Sequence, residues 1–384
     1  MDFFLSEEQI MIIETARSFA QIECLPGVIE RDEHQCFPKD QIKKLAKLGF
    51  MGMMVDPQYG GAGMDTISYL LAMEEISKID ASVSVVMSVN NSLICYGLEQ
   101  YGNPIQKEQY LVPLAKGIKH DELYIGAFLL SEPEAGSDAS SQRTTAVEND
   151  DCYLLNGTKN WITSGNSASV YIVMAQTDPS KGSKGINAFI VEKNWPGIVI
   201  GPKENKMGVR ASDTHSIHFS NVRIPKENRI GKDGFGFKFA MNVLAAGRIG
   251  IASQALGIAG GAYELSLKYA KQRKSFGKEI SHHQVIQFKL ADMATRIEYA
   301  RLLCLKAAWQ KDQHLDYTLS SSMAKVVASE TAMWTTTEAV QIHGGYGYVK
   351  EYHVERLMRD AKVTQIYEGT SEVQRIVIAK AILN

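Results

Sequence analysis

At 384 residues, 45% hydrophobic and 22% charged, the chain can bury more core than one domain usually holds and has the composition of a soluble globular protein. Its 41 Lys and Arg against 43 Asp and Glu leave a formal charge of −2, a balance that does not point to nucleic acid or a membrane surface as partner. The five cysteines (Cys24, Cys36, Cys95, Cys152, Cys304) show no CxxC pair and no metal-ligand spacing, so reduced thiols and no metal are expected.

The opening residues MDFFLSEEQI carry acids where a targeting peptide would carry bases, and no apolar run reads as long enough to span a bilayer. A cytoplasmic protein is expected. Residues 1–120 read as helical. Ser6 caps a run with Ile10, Ile13, Phe19 and Ile22 at helical spacing, and Pro26 stops or kinks it. A second helix is predicted from Pro38 to Gly49, and others over Tyr69–Lys78, Val83–Tyr96 and Pro104–Ala115.

From 121 to 230 the pattern changes to short β-rich runs: Tyr124–Leu130, Thr144–Val147, Tyr153–Leu155, Val170–Ala175, Ile186–Val191, Ile198–Ile200 and Ser216–Phe219. Without long helices between them, these predict an antiparallel barrel or sandwich rather than a Rossmann unit. Helices return over 231–384. Ile286, Leu290, Met293, Ile297, Ala300, Cys304 and Ala307 alternate at four and three residues, as in the seam of a four-helix bundle. The small residues of Ala245–Gly261 allow either close helix approach or room for a ligand. The fold class is α+β, with an N-terminal helical domain, a middle β-domain and a C-terminal helical bundle.

Several motifs carry both a plain and a chemical reading. Glu368 lies between an aromatic and a glycine just before a helix, with Ser371 and Gln374 predicting a capping box. It complements the helix dipole on a surface turn, or it is a carboxylate aimed into a cleft. Gln341-Ile-His-Gly-Gly-Tyr-Gly347 is a helix C-cap, or a backbone that must approach a pyrophosphate. Ser131-Glu-Pro-Glu-Ala-Gly-Ser-Asp138 and Asn160-Trp-Ile-Thr-Ser-Gly165 are polar turns, or hydroxyls presented to a ring system. Arg273-Lys-Ser-Phe-Gly-Lys278 is a cationic helix end, or a diphosphate holder. No GxGxxG follows a strand, which argues against a nicotinamide site.

In their combination and order these segments, with Met358-Arg-Asp-Ala-Lys362, resemble the flavin-dependent acyl-CoA dehydrogenases over essentially the whole chain, and the short-chain (butyryl-CoA) branch most. The resemblance implies FAD-dependent α,β-dehydrogenation of a short- to medium-chain acyl-CoA, with electron-transfer flavoprotein as partner and a homotetrameric assembly. It implies Glu368 as catalytic base. It implies Phe128, Leu130, Ser131, Trp161 and Thr163 at the flavin ring, and Arg273, Phe276, Gln284, Gln341, Ile342, His343, Gly344 and Gly345 at the rest of FAD, some of them reaching across from a neighbouring subunit. Thr370 and Glu372 match further FAD contacts, and Ser137, Arg248, Tyr367 and Gly369 match substrate contacts. Gly247 fills the position from which some branches supply the base instead, and Ala245 stands where short-chain members carry an acid. Val85, Val89 and Leu93 are expected near the acyl end of the pocket. An acyl-CoA oxidase, a DNA-associated flavoprotein of the same fold and a decarboxylating glutaryl-CoA enzyme are the rival readings.

Overall fold

The computed structural model describes residues 4–383. The chain runs helices, then sheet, then helices, and a continuous apolar core links all three parts. Ser6 caps the helix Glu7–Phe19 through a capping box with Gln9. That helix passes through a π-turn at Ala20–Cys24 and stops short of Pro26, before a short helix Val28–Glu33. The predicted second helix forms over Lys39–Lys47. Ala81–Ser88, a π-turn at Val89–Cys95 and Tyr96–Tyr101 together make one nearly continuous buried rod.

The middle part is one eight-stranded sheet, and it is mixed rather than purely antiparallel. Gly126–Leu129 runs parallel to Val170–Gln176, and Thr145–Glu148 meets the same strand in parallel at one pairing. All other pairings in this sheet are antiparallel. Direction follows from the long Ser131–Thr144 connection, which carries the chain away before it returns. The runs expected at Tyr153–Leu155 and Ser216–Phe219 belong to much longer strands, Cys152–Thr163 and Thr214–Pro225. Register shifts after Leu155 and Lys159 let the first of these continue past Gly157 and through Trp161, which sits at φ +61°.

In the C-terminal part the helices Gly236–Gln272, Gln284–Asp312 and Thr318–His343 pack with His353–Val363 and Ser371–Leu383. The predicted seam is confirmed: Met293, Ile297, Ala300, Cys304 and Ala307 are buried, with Ile286 and Leu290 partly so. The small-residue stretch serves both uses offered for it. A Cβ on Gly257 would meet the Glu74 carbonyl at 2.3 Å, so the long helix crosses Thr66–Ser77 at backbone contact, while Gly247 makes room within the site described below. Two segments, Ala81–Tyr101 and Gly236–Gln272, are in fact long and apolar enough to cross a membrane. Both are buried inside the fold, which accounts for their apolarity.

The Met358–Lys362 segment ties the three parts together. Asp360, fully enclosed, accepts from Arg356 Nη1 at 2.9 Å and from the Val209 N–H at 2.5 Å, and Arg356 Nη2 donates to the Ile79 carbonyl at 2.7 Å. Arg359 pairs with Asp32 at 2.8 Å, and a Cβ on Gly208 would lie 2.2 Å from the Arg359 carbonyl. All five cysteines are free thiols, with Cys36 exposed and the other four buried.

Candidate active site

After the helix His353–Val363, the Ile366 and Tyr367 N–H groups close back on the Val363 carbonyl, and the chain then turns sharply. Glu368 has φ +52° and Gly369 φ +91°, so a left-handed corner carries the acid. The corner is held at several points. The Tyr367 hydroxyl bonds Gln254 Oε1, Gln374 Nε2 donates to the Glu368 and Gly369 carbonyls (3.2 and 3.1 Å), and Lys325 Nζ donates to the Gly369 carbonyl at 2.7 Å. The helix that follows is capped by Thr370, whose Oγ1 accepts from the Val373 N–H at 3.2 Å, and not by Ser371. Ser371 is already the first helical residue, so Gln374 reaches the corner's carbonyls instead of completing a capping box.

Glu368 faces a cavity of about 490 Å³. One wall is the β-domain: Phe128, Leu130, Ser131, Ser137, Trp161 and Thr163. The opposite wall is helical: Val89, Leu93, Phe237, Met241, Leu244, Arg248, and the corner Ile366–Thr370 with Val373. The loop from Ser131 is set by Glu132, which accepts from Lys159 Nζ (2.8 Å) and from the Arg143 and Thr144 N–H groups (2.6 and 3.0 Å). Lys159 also donates to the Leu130 carbonyl at 3.0 Å. On the other side of Thr163, Asp213 accepts from the Asn166 and Ser167 N–H groups at 3.0 and 2.8 Å and holds that turn. Trp161 lies at the rim, 61% exposed.

Glu368 Oε2 has no hydrogen-bond partner among the described residues. Burial pushes its carboxyl up to about 7, while the cations Lys325 and Arg248 act in the opposite sense. Arg248 is itself buried, donating from Nη1 to Ser322 Oγ at 3.1 Å and leaving Nε unpartnered among the described residues. Burial pulls the Lys325 ammonium down to about 8, with Glu368 opposing that fall. A Cβ on Gly247 would sit 2.2 Å from Glu368 Oε2 and 2.6 Å from Leu93 Cδ2. Gly247 is thus a steric condition for the acid's placement.

The structure brings together Phe128, Leu130, Ser131, Ser137, Trp161, Thr163, Arg248, Tyr367, Glu368, Gly369 and Thr370. Val89 and Leu93 also line the cavity, whereas Val85 is buried away from it. Arg273, Phe276, Gln284, Gln341–Gly345 and Glu372 do not line it. Most of these gather at one end of the helical bundle. His343 stacks on Tyr269 with centroids 4.2 Å apart, the Arg273 guanidinium lies 5.4 Å over Tyr346, and Phe276 projects from a short hairpin, 94% exposed. A Cβ at Gly344 or Gly345 would meet nothing within 4 Å; Gly344 is favoured by its own φ of +61°, whereas packing does not require glycine at Gly345. Sequence reasoning missed Lys325, Gln254 and the Lys159–Glu132 pair. The signal for Lys325 was a lone cation among Ser321, Ser322, Ala324 and Ala328 on a buried helix face.

A large cavity lined by helical and β residues, with an unpartnered carboxylate oxygen among hydroxyls and an aromatic, has the character of a ligand pocket. Family models for the N-terminal, middle and C-terminal domains of acyl-CoA dehydrogenases match residues 6–118, 127–222 and 234–383. The chain belongs to the acyl-CoA dehydrogenase family. It is 48% identical to the short-chain specific acyl-CoA dehydrogenase of Clostridium acetobutylicum and 49% identical to that of Megasphaera elsdenii, over 100% of each chain. Its fold matches the structure of butyryl-CoA dehydrogenase from Megasphaera elsdenii with a TM-score of 0.97 over 100% of both chains. A chain from work on the electron transferring flavoprotein of Acidaminococcus fermentans and flavin-based electron bifurcation matches equally, at 48% identity and a TM-score of 0.97 over 100% of both chains.

Proposed function

We propose that the protein oxidises butyryl-CoA and its near neighbours in chain length to the trans-2-enoyl-CoA, using FAD and passing the electrons to electron-transfer flavoprotein. The observation that carries this reading is Glu368: an enclosed carboxylate with a free oxygen, facing the hydroxyl and aromatic wall across the cavity. The residues present fit a flavin. Phe128, Leu130 and Trp161 offer flat apolar surface, Ser131 and Thr163 offer hydroxyls, and the open space at Gly344 and Gly345 suits a backbone approached by a diphosphate. Arg273, Phe276, Gln284, Gln341, Ile342 and His343 would hold the remainder of the dinucleotide, partly from a second subunit of a homotetramer, and Thr370 and Glu372 would add contacts. When bound, FAD supplies the acceptor for the hydride that leaves the substrate's β-carbon.

The chain's own work is proton abstraction and orientation. Glu368 takes the α-proton, and its raised proton affinity makes it a stronger base than a solvated carboxylate. The Glu368 N–H would donate to the thioester oxygen as negative charge develops there. Ser137 and Arg248 would support the acyl-CoA, and the apolar Val89, Leu93, Met241 and Leu244 would take the acyl chain. Tyr367 and Gly369 set the corner. Division into domains near residues 120 and 230, and a cytoplasmic location, complete the proposal.

Glu368→Gln tests it. The variant is expected to retain FAD and bind butyryl-CoA, yet lose roughly a thousandfold in the rate of anaerobic flavin bleaching. Near-normal bleaching would sink the assignment. A chain-length series from butyryl- to palmitoyl-CoA, scored the same way, is expected to peak at the short end.

A further inference from the structure

Lys325 has no exposed surface, on a helix, Thr318–His343, that is rich in small residues and carries no exposed residue between Leu319 and Thr336. An ammonium removed from water is costly unless its protons and charge are matched. Among the described residues its bond goes to one backbone atom, the Gly369 carbonyl at 2.7 Å, one residue beyond Glu368. Two consecutive residues there have positive φ, and the first, Glu368, has a Cβ that resists that conformation. Such a corner persists only where its surroundings hold it. Gln374 contributes from the following helix and Gln254 holds Tyr367 from the helix Gly236–Gln272, while Lys325 reaches the Gly369 carbonyl from the helix Thr318–His343.

We propose that Lys325 is a positioning residue for the reaction: through the Gly369 carbonyl it holds the corner that turns Glu368 into the cavity, and its charge keeps that carboxylate in the form that accepts a proton. The inference rests on the reading of Glu368 as the base. The groups facing the carboxylate are Lys325, Arg248 from the long helix, Tyr69 from Thr66–Ser77, and Tyr367 beside it, while Glu372 faces Lys325 from the final helix. Of these, Lys325 and Arg248 oppose the burial that drives Glu368 upward. Removing Lys325 therefore leaves burial less opposed, and the carboxylate ionises only at higher pH.

The test is the pH profile of kcat/KM for butyryl-CoA in the FAD-loaded enzyme carrying Lys325→Met or Lys325→Arg, with the thermal midpoint of each. For K325M the acid limb is expected to move up by about one pH unit or more, with a rate at pH 7 about tenfold lower that recovers in part at higher pH. K325R is expected to keep the parent limb. An unmoved limb in K325M, whatever its rate, overturns the proposal, as does a K325R limb displaced as far as that of K325M. If K325M does not fold, Lys325→Gln carries the same test, because it keeps a donor and loses the charge. E368Q measured alongside separates the two readings. A silent E368Q with an unmoved K325M limb overturns the role of Lys325 alone, whereas an active E368Q removes the base assignment and the lysine's role with it.

Discussion

Two regions carry the residues implicated in chemistry, and they differ in completeness. The Glu368 cavity has both walls and the carboxylate in one chain, and each side has a strut behind it, Lys325 on the helical side and Lys159 on the β side. The bundle end around Arg273, Phe276 and Gln341–Gly345 is open, with an aromatic at its tip almost fully exposed and two glycines facing empty space. The first region has the character of a reaction chamber, and its side chains are constrained by packing. The second is a helix end whose Gly344 answers to its own φ of +61°, while its exposed aromatic and Gly345 are not accounted for by packing within the chain.

Substitutions should separate the two. The largest expected effect is structural and falls on the chamber. Lys159→Met strands Glu132, which is 5% exposed, and is expected to cost about 3–5 kcal/mol, read from the urea midpoint. An unchanged midpoint would show that the Ser131–Asp138 wall does not depend on this pair. Next comes Gly247→Val, which collides with Glu368 Oε2 and Leu93 and is expected to lower flavin bleaching by about a hundredfold while FAD stays bound. Loss of FAD in that variant would mean the two regions are not separable. The smallest effect on the fold is expected from Gly345→Val, where a side chain meets nothing within 4 Å. Its thermal midpoint should stay at the parent value while FAD retention on gel filtration falls. Full retention would reduce the glycine cluster to a helix end.

The helices and the α–β–α order were legible because their apolar periodicities are local. The direction of Gly126–Leu129 was not, since a strand's partner is decided by where a long connection returns it. Nor was the length of Cys152–Thr163, whose register shifts interrupt the alternation on which strand reading depends. Glu368 could be singled out from its turn and its resemblance, yet that it faces a cavity and not the outer surface depends on distant neighbours such as Gly247 and Leu93. Lys325 escaped notice because its acceptor lies 44 residues downstream, and no local pattern links a helical lysine to a distant carbonyl. Thr370 and Ser371 are adjacent hydroxyls, and only the backbone angle at the corner decides which one caps the helix.

The bond from the Val209 amide to Asp360 at 2.5 Å bears on tolerance to error. Asp360 precedes Glu368 by one helical turn and a short connection, whereas Val209 belongs to the β-domain that forms the opposite wall. The spacing of the two walls therefore has a contribution from a carboxylate gripping a main-chain amide, alongside the Gly126 N–H bond to Asn90 Oδ1 at 3.1 Å that ties strand to helix nearer the cavity. Both of these bonds lie behind the cavity lining, so a substitution in the lining leaves them in place. A lineage bearing this clamp could diversify its substrates while keeping its chemistry in alignment.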